Sequence, residues 1–185
     1  MSGVAGPRFC VNVSLNNDYK EEIARLMRRP PLNRLIGLGV RLVVPRQRVG
    51  VALVTFNANE EILLLRHVFH TSNPWGLPGG WLARNEAPDD ALRREMREEL
   101  GLGVTLGPLL QIAHESYPPH LVVAYLGRLA PGPMRLNGEI LEARWFGLDR
   151  LPRPLWPFAE RAIVAGLALW RANPAATRPM EAQPV

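Results

Sequence analysis

The chain has 185 residues, 47% of them hydrophobic, and a formal net charge of +5, with arginine supplying all but one of its 22 basic residues. That length holds one domain with its own core plus short extensions, and no apolar run approaches the roughly 20 residues of a membrane-spanning helix. The N-terminus lacks the layout of a secretory leader and the single cysteine, Cys10, allows no internal disulfide, so a cytoplasmic protein without a membrane partner is expected.

The first fifteen residues carry no firm pattern. From Asn17, NDYKEEIARLMRR sets Ile23, Leu26 and Met27 on one helical stripe, and Asp18 with Glu21 reads as a capping box. RPPLNRLIGLGVRLVVPRQR follows, apolar but broken by prolines and glycines. A connector that packs on the domain or on a second subunit is expected there, making residues 1–48 an extension with one helix and a candidate homodimer element. VGVALVTF and EILLLRHV read as strands joined by the polar turn NANE, a hairpin. The loop HTSNPWGLPGG leads into a charged helix expected over residues 87–100. VTLGPLLQIAHES and HLVVAYLGRLA then read as strands, ARWFGLD as a shorter one, and PFAERAIVAGLALWRA as a closing helix with proline at its start. The tail, residues 173–185, is small, polar and proline-rich, and disorder is expected there. Strands on both sides of a central helix, with another helix at the end, suggest a mixed α/β sandwich.

The central helix carries the chemistry. Its residues turn by about 100° each, so Glu95, Glu98 and Glu99 fall within one wedge beside the apolar stripe of Leu92, Met96 and Leu100. Three carboxylates on one wedge repel unless cations intervene. Arg94 and Arg97 offer one remedy, a surface helix knitted by ion pairs, although such helices usually interleave the signs on each face. A hard divalent cation, Mg²⁺ or Mn²⁺, offers the other, since it prefers oxygen ligands.

Spacing decides between them. Gly80, five residues, Glu86, seven residues, then REMREELGL from Arg94 to Leu102 resembles the Nudix box at all nine of its specified positions, a match expected by chance about once in 10⁷ chains of this length. WGLPGG before the box and EARWFGLDRLP after it resemble the flanks of Nudix domains. The resemblance implies an α/β/α sandwich with a mixed β-sheet and a catalytic loop-helix-loop, here the hydrolase domain of residues 49–172. It also implies an enzyme that hydrolyses a nucleoside diphosphate linked to another moiety, a small nucleotide substrate. Carried over by position, Glu98 and Glu99 become the principal metal ligands with the carbonyl of Gly79. Glu95 binds metal through water or acts as base, Arg94 orients the glutamates, and Glu86 secures the loop. Gly79 and Gly80 permit close backbone approach, and Gly101 closes the box. Asn85 departs from the family's usual glycine, but asparagine tolerates the left-handed conformation. A further base can come from another loop: Glu139 is the candidate, with Glu115 and Glu142 competing and a solvent-exposed strand edge as the plain alternative. His114 and His120 read as strand-end residues.

Substrate marks lie outside the box. Pro118, sixteen residues beyond Leu102, resembles the mark of ADP-ribose pyrophosphatases, whereas Tyr117 resembles one of dinucleoside polyphosphate hydrolases. The coenzyme A signature and the SQPWPFPxS run of the NADH class are absent. Trp75, Tyr117 and Trp145 are candidates to stack on a base, core packing being their other fate. ADP-ribose or another nucleoside diphosphate sugar ranks first, modified nucleoside triphosphates second, RNA 5′ ends or dinucleoside polyphosphates third. A nucleotide-sensing regulator without turnover is the rival class; the intact box glutamates argue against it. Scattered arginines without an aromatic RNA motif argue against RNA or DNA binding.

Overall fold

The computed structural model describes residues 17–44, 47–69, 73–116 and 118–172. The start of the chain, the tail at 173–185 and Tyr117 therefore lie outside the described residues, as does the side chain of Asp18 in the expected capping box. The chain divides into two compact units, residues 1–46 and 47–185.

The first unit contains α1 (Asn17–Met27) and α2 (Leu32–Val43). The second helix replaces the expected connector. Gly37 and Gly39 each weaken a helix by roughly 1 kcal/mol, and that composition hid it. Its other residues, mostly leucine, isoleucine, valine and arginine, sustain the helix, and Pro30 and Pro31 sit just ahead of its first turn, where a missing N–H does no harm.

The second unit begins with β1 (Arg48–Val54) and β2 (Ile62–His67). They were expected as a hairpin, and here the structure differs. Asn57 builds the turn: its Oδ1 accepts from the N–H groups of Asn59 and Glu61, and Phe56 and Ile62 form a single antiparallel bridge. Beyond that bridge the strands enter different sheets. Both are buried on both faces, so each needs strand neighbours of its own. β1 pairs with β4 (Gly79–Trp81) antiparallel and with β6 (Pro119–Leu129) parallel, and β5 (Val104–Ser116) completes the order β4-β1-β6-β5. β2 pairs with β3 (Trp75–Gly76) and β7 (Ile140–Phe146), giving β3-β2-β7.

Alternate residues of the central strands feed opposite cores. Val51, Leu53, Leu63 and Leu65 meet Ala91, Leu92, Met96 and Leu100 of α3 (Pro88–Leu100). Ala52, Val54, Ile62 and Leu64 meet Phe158, Ala162 and Ile163 of α4 (Pro157–Ala172). The layers are helix, mixed sheet, helix: the expected α/β/α sandwich.

Candidate active site

The site starts where β4 lies against β1, with Gly80 opposite Val51 and Gly79 opposite Ala52. Gly79 adopts φ +149°, and a Cβ there would run into the carbonyl oxygen of Val51. A Cβ on Gly80 would instead strike the Glu95 carboxylate. The two glycines thus fail differently. Gly79→Ala collides with main chain and is expected to cost about 3 kcal/mol or more of stability, read by thermal melting. Gly80→Ala meets only a side chain that can swing aside, so it should fold and lose roughly 10²-fold in turnover by displacing Glu95. Equal melting temperatures for the two variants would refute this division.

From β4 the chain loops to α3 through Asn85, which takes φ +62° as its side chain allows. Arg94 holds that loop. Its Nε and Nη2 donate to the two oxygens of Glu86 at 2.9 Å each, and Nη2 also reaches the Trp81 carbonyl at 3.0 Å. Glu86 takes a further bond from the Ala83 N–H at 2.7 Å, and the Arg94 guanidinium holds its carboxyl down at about 2. The remaining Arg94 nitrogen, Nη1, donates to Glu95 at 2.8 Å and to Glu98 at 3.0 Å. One cation therefore ties three carboxylates to the loop, and they in turn hold its own proton more firmly. At the far end Gly101, at φ +69°, caps α3 in the left-handed conformation that only glycine adopts freely.

Glu99 sits apart, 4% exposed, its Oε2 accepting from the Gly79 N–H at 3.0 Å. Burial pushes its carboxyl up to about 8, with the charges of Glu95, Glu139 and Glu98 adding and the Gly79 N–H opposing. Glu95, half-buried, is raised as well, burial outweighing its bond to Arg94.

Both glutamates line a cavity of about 480 Å³, together with Gly79, Gly80, Glu115, Glu139, Pro118 and the aromatic rings of Trp81, His120, Phe69 and Trp156. Glu98 does not line it; its side chain is half-exposed and turned to Arg94. Glu142 is outside too, paired with Arg66 and Arg144. His114 is exposed on β5. Trp75 packs edge-on against Phe146 at 4.9 Å on the α4 core, and Trp145 packs on the α3 core, so neither reaches the cavity. The aromatic wall is instead Trp81, 47% exposed and stacked edge-on with His120 at 4.8 Å. A signal for Trp81 was present: two residues beyond Gly79 on one strand, it shares the face of that glycine.

Among the described residues no three Asp, Glu, His or Cys side chains stand as a ready-made metal group. The reason is visible: Glu95 and Glu98 are drawn onto Arg94, and Glu99 onto the Gly79 N–H. The donors nevertheless fit a hard divalent cation. All are oxygens, and a buried carboxyl held protonated against three neighbouring carboxylates is the group a cation would relieve.

Residues 46–166 match the family model of the NUDIX domain. The chain belongs to the Nudix hydrolase family. Its curated relatives include the NAD-capped RNA hydrolase NudC of Salmonella typhi, 29% identical over 124 residues, covering 65% of this chain and 48% of that protein. The NudC of Vibrio cholerae serotype O1 is 26% identical over 114 residues, 61% of this chain and 41% of that protein. This Nudix chain thus spans about half the length of the curated relatives it matches. Among solved structures, an ADP-ribose pyrophosphatase from Streptococcus suis aligns with TM-score 0.58 and 28% identity, over 68% of this chain and 93% of that one. A MutT Nudix hydrolase from Burkholderia pseudomallei gives 0.55 and 27%, over 65% and 98%.

Proposed function

We propose that residues 49–172 form a divalent-metal-dependent pyrophosphohydrolase whose preferred substrate is ADP-ribose or another nucleoside diphosphate sugar. The observation that carries this reading is the cavity itself, with Glu95 and Glu99 among its carboxylates and an exposed tryptophan in its wall. Its volume is in the range of single small-molecule sites, roughly 300–1,000 Å³. The 28% likeness to the Streptococcus suis ADP-ribose pyrophosphatase and the cavity position of Pro118 support the choice of substrate. NAD-capped RNA is the second reading, favoured by the NudC relatives. Both substrates present an ADP-ribose unit, so one cavity chemistry serves either.

Glu99, Glu95 and the Gly79 carbonyl would hold Mg²⁺ or Mn²⁺, joined by Glu98 once it leaves Arg94. Such an ion would offset the charge of the pyrophosphate oxygens and make water a better nucleophile near neutral pH. Arg94 and Glu86 fix the loop that carries Gly79 and Gly80. Water adds to one phosphorus, the bridging P–O bond breaks, and ADP-ribose gives AMP and ribose 5-phosphate. Glu139 accepts the proton of that water. Its charge already acts on Glu99, whereas the competing Glu115 leans toward Arg161 at 3.9 Å.

Trp81 stacks on the base and selects what hangs from the diphosphate. Trp81→Ala should raise KM about tenfold with little change in kcat, as expected for an apolar contact of roughly 1–3 kcal/mol. Trp75→Ala should lower the melting temperature and leave KM alone; the reverse pattern would return the stacking role to Trp75. The function itself is tested by incubating the protein and Mg²⁺ or Mn²⁺ with ADP-ribose, sugar nucleotides, NAD, nucleoside triphosphates and an NAD-capped oligoribonucleotide in ¹⁸O-water. A nucleoside monophosphate is expected among the products, with one label in it or in its partner product according to which phosphorus the water attacks. Label only in inorganic phosphate would make the protein a phosphatase, and nucleotide binding without turnover would make it a sensor.

A further inference from the structure

The apolar helix α2 plays no part in the chemistry above. Leu35, Leu38, Leu42 and Val43 are 54–80% exposed, at helical spacings that place them on one broad face. A Cβ built on Gly37 or Gly39 would meet nothing. Contiguous apolar surface of this kind marks a docking face. Charge says what docks. From Ile23 to Asn59 the sequence holds seven arginines and no aspartate or glutamate. Arg25, Arg28, Arg29 and Arg34, on the two helices and the turn between them, are all exposed. Asp18, Glu21 and Glu22 of α1 are outnumbered by these arginines, so a second copy would bring an excess of like charge against the first, which repels. An anionic lipid surface supplies both missing complements, acyl chains for the leucines and phosphates for the arginines.

We propose that α1 and α2 form a peripheral anchor that lays α2 in the plane of an anionic membrane surface. This reading goes beyond the expectation of no membrane partner, and it needs no membrane span. No described helix is long and apolar enough to cross a bilayer. Twelve residues rise only about 18 Å against a hydrocarbon core of about 30 Å. The helix lies on the surface.

The test uses the full chain in EDTA with sucrose-loaded vesicles of phosphatidylcholine, with or without about 30% phosphatidylglycerol, in roughly 0.1 M and 0.5 M NaCl. Partitioning should fall at least tenfold without the anionic lipid, and again at high salt, since each basic residue at such a surface contributes about fivefold. Two variants separate the contributions: Leu35→Glu/Leu38→Glu/Leu42→Glu removes the apolar face, and Arg28→Glu/Arg29→Glu/Arg34→Glu reverses the charge. Each should lose at least tenfold in partitioning, while hydrolysis rates, read separately with Mg²⁺ and without vesicles, stay within about twofold, because none of the altered side chains lines the cavity. Equal partitioning to neutral vesicles, or none to anionic ones, overturns the proposal. So does a sedimentation-equilibrium dimer, abolished by the leucine variant, in a protein that ignores vesicles.

Discussion

Glu99→Gln is expected to lower turnover by about 10²–10³-fold while leaving the fold intact or more stable, comparable to removing one well-placed electrostatic group from a reaction centre. The two halves of that expectation come from one geometry. Burial raises the Glu99 carboxyl from 4.5 to about 8, so the folded metal-free protein prefers the neutral form. Raised folded-state pKa means stability that is full below about 4.5 and lost as pH climbs through about 8. Glutamine mimics the neutral carboxyl and its amide oxygen can still accept from Gly79, but it never ionises. The melting temperature of the variant should therefore draw ahead of the metal-free wild type as pH rises from 5 toward 8. Adding Mg²⁺ or Mn²⁺ should close or reverse the gap, because only the carboxylate gains a cation. A variant that keeps wild-type turnover, or that melts lower than wild type in EDTA at pH 8, removes Glu99 from the role argued for it.

What the sequence revealed, and what it hid, follows from the range of the interactions involved. The loop-helix-loop was legible because its determinants are local: Glu86, Arg94, Glu95 and Glu98 lie within thirteen positions and bond one another directly. The span of α3, its left-handed Gly101 cap and the tolerance of Asn85 for positive φ are local as well. The α/β/α layering was legible through the alternation of apolar residues in the strands. Pairing was not. β1 and β2 looked like a hairpin because a polar turn joins them, yet β1 pairs with β4 and the distant β6, β2 pairs with β3 and the distant β7, and burial on both faces drew the two strands apart. β3 and β4 are too short, two and three residues, to show any period. The same limit applies to the tryptophans. Trp75 and Trp145 are as aromatic as Trp81, and only the tertiary contact with Phe146 and the two cores shows which tryptophans are spent on packing.

Metal affinity should depend steeply on pH. Below about 8 the buried Glu99 carboxyl carries a proton that a cation must displace, so each pH unit lost should weaken binding about tenfold. From pH 8 down to pH 5 that amounts to as much as about 10³-fold, with a plateau above pH 8. Glu95, also raised by burial, would steepen the lower end of the curve. Glu86 would not contribute, since Arg94 keeps it ionised throughout this range. Calorimetric titration with Mg²⁺ or Mn²⁺ in two buffers of different ionisation enthalpy reads both quantities at once, the dissociation constant and the number of protons released. Close to one proton should leave per ion bound between pH 6 and 7, falling toward zero above pH 9. Glu99→Gln should abolish that release, because no proton is left at that position to expel. A dissociation constant flat from pH 5 to 8 would mean that the ion binds without Glu99, and that Gly79 keeps the carboxyl for itself.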